Sequence, residues 1–128
     1  MPIQIEPNVQ TGILMARYVN PVDPERDVAN VIQSIIAFSH QVQGVFFVIA
    51  DVREFDLTFD TVTEGLDLVR RSLVGIPVRF VVIGSGKFVE LAAQAVAQRQ
   101  YGSFEVAKVF ATEEEALAYC HAELTKPS

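Results

Sequence analysis

The chain has 128 residues, 50% of them hydrophobic, and a net charge of −6, with a pI near 4.8 and a mean hydropathy of +0.28. That length fits one domain over residues 1–128, able to bury about 65–70% of its unfolded surface without metals or bridges. The acidic balance argues against a nucleic-acid or anionic-membrane surface, whose phosphates call for Lys and Arg, and a single cysteine, Cys120, excludes an intrachain disulfide.

The high hydropathy has two readings. Either the strands are buried on both faces, as in parallel sheets, or apolar surface is left for a partner or ligand. The opening stretch, MPIQIEPNVQ, has neither a basic region nor an apolar signal core. The longest apolar runs are too short to span a bilayer. The expectation is a soluble cytoplasmic protein with no integral membrane segment.

IQIEP alternates apolar and polar residues, so residues 3–6 read as a half-exposed edge strand bracketed by Pro2 and Pro7. NVQTG turns the chain into a second strand over 13–19, and the short spacing predicts an antiparallel hairpin. Asp23 can cap the first helix and Pro24 suits its first position. That helix is expected to run to about residue 42, with Val28, Val31, Ile32, Ile35, Phe38 and Val42 on its buried face, and to break at Gly44.

Residues 45–50 form an unbroken apolar run, expected as a strand covered on both faces. A second helix is expected over 60–73, with Thr61 and Glu64 spaced as a capping box and Val62, Leu66, Val69 and Leu73 facing inward. Arg70 and Arg71 suit a solvated face of that helix. The fourth strand covers 78–83. GSGK turns into an Ala-rich third helix that Gly102 closes. A fifth strand over 106–110 precedes a last helix, capped by Thr112 with Glu115, that carries the stripe Ala116, Leu117, Cys120 and Leu124. The order is β-β-α-β-α-β-α-β-α. This predicts an α/β domain with a mostly parallel, five-stranded mixed sheet whose first strand is the antiparallel member.

In open α/β sheets, ligands sit outside the carboxyl ends of the strands. Asp51, after the third strand, could bind a metal or accept a phosphoryl group. Bacterial receiver domains use such an acid with an acidic pair after the first strand, but the corresponding residues here are Arg17, Tyr18 and Asn20. The plainer role for Asp51 is to accept backbone hydrogen bonds and shape the loop.

Ser85, Gly86 and Lys87 form a glycine turn into a helix, a geometry that can hold an anion through free N–H groups. Phe88 stands where a P-loop needs Ser or Thr, and Val89 where the dinucleotide fingerprint needs Gly, so both motifs fail. A tight turn accounts for these residues equally well. His40 and His121 are the only histidines; with Cys120 they supply no zinc shell. Cys120 falls on the buried stripe of its helix and reads as a small core residue.

Thr58, Thr61 and Thr63 are ordinary residues near a helix start, where an added phosphate would also be favoured by the helix dipole. Phe55, Leu57 and Phe59 either tuck under their loop or form a docking patch.

The hairpin followed by alternating helices, the strand VFFVIADV and the ending KVFATEEEALAYC resemble the STAS-like domains, and among them the SpoIIAA-like, anti-sigma-factor antagonist-like branch. The resemblance covers nearly the whole chain. It implies a small α/β domain with helices largely on one side, which binds partners rather than catalysing a reaction. In antagonists, a partner kinase phosphorylates a serine in an Asp-Ser-Ser-Gly motif. The nearest match here is Asp60-Thr61-Val62-Thr63, with Val62 at the usual acceptor position.

These readings make the chain a non-enzymatic interaction module without a cofactor. It would bind a protein partner, such as a regulatory kinase or anti-sigma-like protein, through the loop after the third strand and the second helix, with Asp51, Phe55, Leu57, Thr58, Phe59 and Thr61 as contact residues. An alternative, drawn from the similarity of this branch to lipid-binding Sec14-type domains, is a carrier or sensor of a small apolar ligand. A third is an enzyme using Asp51, Ser85 and Lys87 in one cleft. The Ala-rich helix and the surplus of apolar residues also suggest a homodimer.

Overall fold

The computed structural model describes residues 3–19, 24–54, 71–84 and 108–125. Within them lie β1 (Ile3–Asn8), β2 (Ile13–Val19), α1 (Pro24–Ser39), β3 (Phe46–Glu54), β4 (Val78–Ile83), β5 (Lys108–Phe110) and α2 (Glu113–Leu124). The strands form one five-stranded mixed sheet in the order β1-β2-β3-β4-β5. β1 pairs antiparallel with β2, and β2–β3, β3–β4 and β4–β5 are parallel.

The hairpin forms for local reasons. Asn8 Oδ1 accepts from the Thr11 N–H at 3.2 Å, and Gly12 takes a φ of 75°, a left-handed conformation that costs other residues more. The Gly12 carbonyl then accepts from Phe47 N–H at 3.0 Å, joining the turn to the start of β3. β1 runs past the expected residue 6 to Asn8 and includes Pro7. At an edge, the missing proline N–H removes no bond from a neighbouring strand.

Two expected boundaries need correction. α1 ends at Ser39, not residue 42. There the backbone tightens: His40 N–H donates to Ala37 O and Gln41 N–H to Phe38 O, three residues back, while Ser39 Oγ donates to Ile36 O. Gly44, with φ of 80°, then turns the chain toward β3. Val42 still packs on the core from beyond the helix.

β3 starts at Phe46 and continues through Asp51 to Glu54, beyond the expected end at residue 50. Asp51 is therefore inside the ladder, opposite Arg17 on one side and Ile83 on the other.

The period of two divides the inner strands between two cores. Leu14, Ala16, Phe46 and Val48 join Val28, Val31, Ile32, Ile35 and Phe38 of α1. Phe38 and Phe46 meet edge to face, with centroids 5.3 Å apart. Ile13, Met15, Phe47, Ile49, Val81 and Ile83 point the other way and are covered by Ala116 and Cys120 of α2, with Leu117 and Leu124 partly buried beside them. The two described helices thus lie on opposite faces. β2 and β3 are buried on both sides, as the unbroken apolar run over 45–50 predicted for β3.

Arg71 and Ser72 are helical, where the helix expected over 60–73 should end, and Leu73 packs on the α1 side. The caps expected at Asp23 and Thr61, residues 60–70, the Ala-rich helix and residues 106–107 lie outside the described residues. Among the described residues, no helix is long and apolar enough to cross a membrane.

Candidate functional site

Arg17 on β2 and Asp51 on β3 are register partners near the carboxyl ends of two parallel strands. Both side chains therefore project to the face that α2 covers. Arg53 stands two residues beyond Asp51 and shares that face. Glu6 comes from β1, and Glu113 opens α2. Four elements are joined here through three carboxylates and two guanidiniums.

Asp51 is buried, with its side chain 10% exposed. Its Oδ1 accepts from Arg53 N–H at 3.2 Å and Arg53 Nε at 3.0 Å. Its Oδ2 accepts from Arg53 Nη2 at 2.8 Å and from Arg17 Nη1 at 3.4 Å. The Arg53 contact is a two-pronged guanidinium–carboxylate pair, the stronger geometry for such ions. Arg17 Nε donates to Glu6 Oε2 at 2.7 Å, and Arg17 Nη1 lies 2.6 Å from Glu113 Oε1.

The electrostatics follow from these contacts. The side-chain hydrogen bonds from Arg53 hold the Asp51 carboxyl below the ordinary aspartate range, against the opposing effect of burial; the Arg53 backbone N–H and the Arg17 charge add to this. Asp51 in turn raises Arg53. Arg17 is held still more firmly protonated by Glu113 and then Glu6. Both Asp51 oxygens carry cationic donors and the carboxylate is a weak base. This arrangement suits a fixed anchor better than a proton acceptor or a nucleophile.

Asp51 is thus at the expected end of the sheet, but the residues around it differ from a metal pocket. Arg17 occupies the place of an acidic pair and neutralises the acid instead. Tyr18 turns to the α1 side, where burial pushes its phenol up to about 12. Among the described residues there is no cluster of three or more His, Cys, Asp or Glu able to hold a metal. Among them, too, no buried side-chain nitrogen or oxygen lacks a partner.

The remaining sequence candidates, Phe55, Leu57, Thr58, Phe59, Thr61, Val62 and Thr63, and the turn residues Ser85, Gly86 and Lys87, lie outside the described residues. Gly84, which precedes that turn, has a packing role of its own. A Cβ there would sit 3.0 Å from Val52 Cγ2, so the residue allows the end of β4 to approach β3. Gly84 N–H also donates to Phe110 O at 2.9 Å, extending the bonding between β4 and β5.

Cys120 is fully buried, and burial pushes its thiol up to about 12, which suits a core residue and not a nucleophile. His40 and His121 are exposed at opposite parts of the chain.

Sequence reasoning missed Arg53, Glu6 and Glu113 as partners in this cluster. The signal for Arg53 was its spacing of two from Asp51 within a strand. For Arg17 the signal was the parallel register that sets the ends of β2 and β3 side by side. Further along the same face, Arg79 lies over the Phe47 ring at 5.0 Å and donates to Tyr119 Oη at 3.3 Å. Tyr119 meets Phe47 and Phe110 edge to face, so aromatic packing continues the contact between α2 and the sheet.

Comparison with protein-family models gives no match, and no curated protein sequence matches the chain.

Proposed function

We propose that this chain is a STAS-like regulatory module that works in the cytoplasm by binding a protein partner and catalyses no reaction itself. The binding surface is formed by the carboxyl end of β3 and the residues that follow it, with Phe55, Leu57, Thr58, Phe59 and Thr61 as contact residues. The observation that carries this reading is the clamp on Asp51. Two arginines occupy Asp51, the acid that the sequence singled out for chemistry. A fixed strand exit is a suitable base for a recognition loop.

The chain-long resemblance to the SpoIIAA-like branch supports the same reading. Val62 at the usual acceptor position favours recognition that does not depend on a phosphoserine.

The test is affinity capture from the native host with the wild-type chain and a variant carrying Phe55→Ser, Leu57→Ser and Phe59→Ser, both shown to be folded by circular dichroism. A stoichiometric protein retained by the wild type and lost by the variant is expected. A partner held equally by both overturns the surface. A co-purifying lipid with no protein partner, detected by native mass spectrometry, would replace this reading with that of an apolar-ligand carrier.

A further inference from the structure

The two helices are attached to the sheet by unequal means. α1 buries Val28, Val31, Ile32, Ile35 and Phe38, whereas the fully buried residues of α2 are Ala116 and Cys120. Small side chains remove little apolar area from water, so packing alone holds α2 less firmly than α1. What α2 has in addition are polar ties to the sheet: a close ion pair at its amino end, between Glu113 Oε1 and Arg17 Nη1 at 2.6 Å, and a looser set further along, where Arg79 donates to Tyr119 Oη at 3.3 Å and lies 3.9 Å from Glu123 Oε2. Arg17 is itself anchored by Glu6 and faces Asp51. The pair lies where the helix meets the sheet, with Arg17 31% and Glu113 37% exposed, so ions in solution can reach it.

Proteins open in cooperative units, and the least firmly packed unit opens first. We propose that α2 is a releasable cover on the second face of the sheet, fastened by Glu113 on Arg17, and that it lifts as a unit while α1 and the first core stay folded. The lifted state uncovers Phe47, Ile49, Val81 and Ile83 along with Cys120. No covalent step is involved. This inference stands apart from the partner surface after β3, since neither Glu113 nor the α2 packing enters that reading.

The chain carries its own reporter. Cys120 is the single cysteine and is fully buried under α2, so a thiol reagent reaches it only when the cover lifts or the whole molecule unfolds. Trapping with a maleimide, run beside hydrogen exchange on the same sample, separates these two cases. In the wild-type chain, α2 amides and Cys120 are expected to react faster than the amides of α1. Glu113→Gln should speed both α2 signals about fivefold, the upper end for a partly exposed pair, and leave α1 unchanged. Raising the salt concentration should speed Cys120 trapping in the wild type and have a smaller effect in Glu113→Gln, which keeps only the longer Arg79–Glu123 pair.

Glu114→Gln is the control, because it removes the same charge from the same first helical turn and so the same interaction with the helix dipole. Equal acceleration by Glu114→Gln would overturn the fastening role of Glu113. Equal rates for α1 and α2 in the wild type, or loss of α1 protection in Glu113→Gln, would show that α2 has no separate opening and overturn the proposal.

Discussion

On one face of the sheet, α1 inserts five large apolar side chains, and Phe38 stacks edge to face on Phe46. On the other, α2 offers Ala116 and Cys120, and its hold is completed by aromatic edges and by ions around Arg17 and Asp51. The first face depends on area removed from water, which rests on no single ion pair or hydrogen bond. The second depends on geometry that single groups can undo. The sheet therefore has a durable side and an adjustable side, and the candidate functional acid lies on the adjustable one.

The sharpest way to test this contrast is to cut into each side. Phe38→Ala should cost about 3–5 kcal/mol in urea denaturation, as expected for a large aromatic removed from a full core. Leu117→Ala on α2, which is only partly buried, should cost about 1–2 kcal/mol. Equal costs would break the comparison.

Asp51→Asn should come next, at about 1.5–3 kcal/mol, because it leaves the Arg53 and Arg17 donors without their anion. This variant also has a pH signature. The folded-state Asp51 is held below its ordinary value, so its contribution is present above the unfolded pKa of about 3.9 and is lost as pH falls through the folded value. Wild-type stability should therefore decline below about pH 4, and stability measured against pH should show a shallower acid limb in Asp51→Asn.

Thr112→Ala should cost about 1 kcal/mol. The Thr112 hydroxyl accepts from Glu115 N–H at 3.2 Å, and the loss should appear in the hydrogen exchange of α2 before that of α1. The smallest effect is expected for Arg79→Gln. Its side chain is 44% exposed, with the guanidinium above Phe47, and removing the charge should cost about 0.5–1 kcal/mol by thermal unfolding.

Much of the architecture was legible because periodicity reports burial. β2 and β4 begin and end where their apolar runs do, and the helical stripe from Val28 to Phe38 is the buried face of α1. The capping pair Thr112 and Glu115 also stands as read, although Thr112 Oγ1 additionally contacts the Glu115 carboxylate at 3.0 Å.

The end of β3 was misread for a specific reason. A charged residue after an apolar run resembles a strand end when its partners are not visible. Asp51 stays in the ladder because Arg17, distant in sequence, and Arg53, two residues on, neutralise it there. Linear sequence gives no direct sign of the first contact. It emerges only when β2 and β3 are set in parallel register. The end of α1 was missed on a smaller scale: Val42 keeps the apolar period, but Ser39 and the tightened bonds after it close the helix first.

The central claim about the site is that Asp51 is an anchor held charged at neutral pH and not a group that shuttles protons. The most direct measurement is a carboxyl-carbon NMR titration of the intact chain with the Asp51 resonance assigned by Asp51→Asn. The account predicts a single titration with a midpoint below the ordinary aspartate range of about 3.9. A midpoint raised toward neutrality would contradict it and would return Asp51 to the role of a working acid.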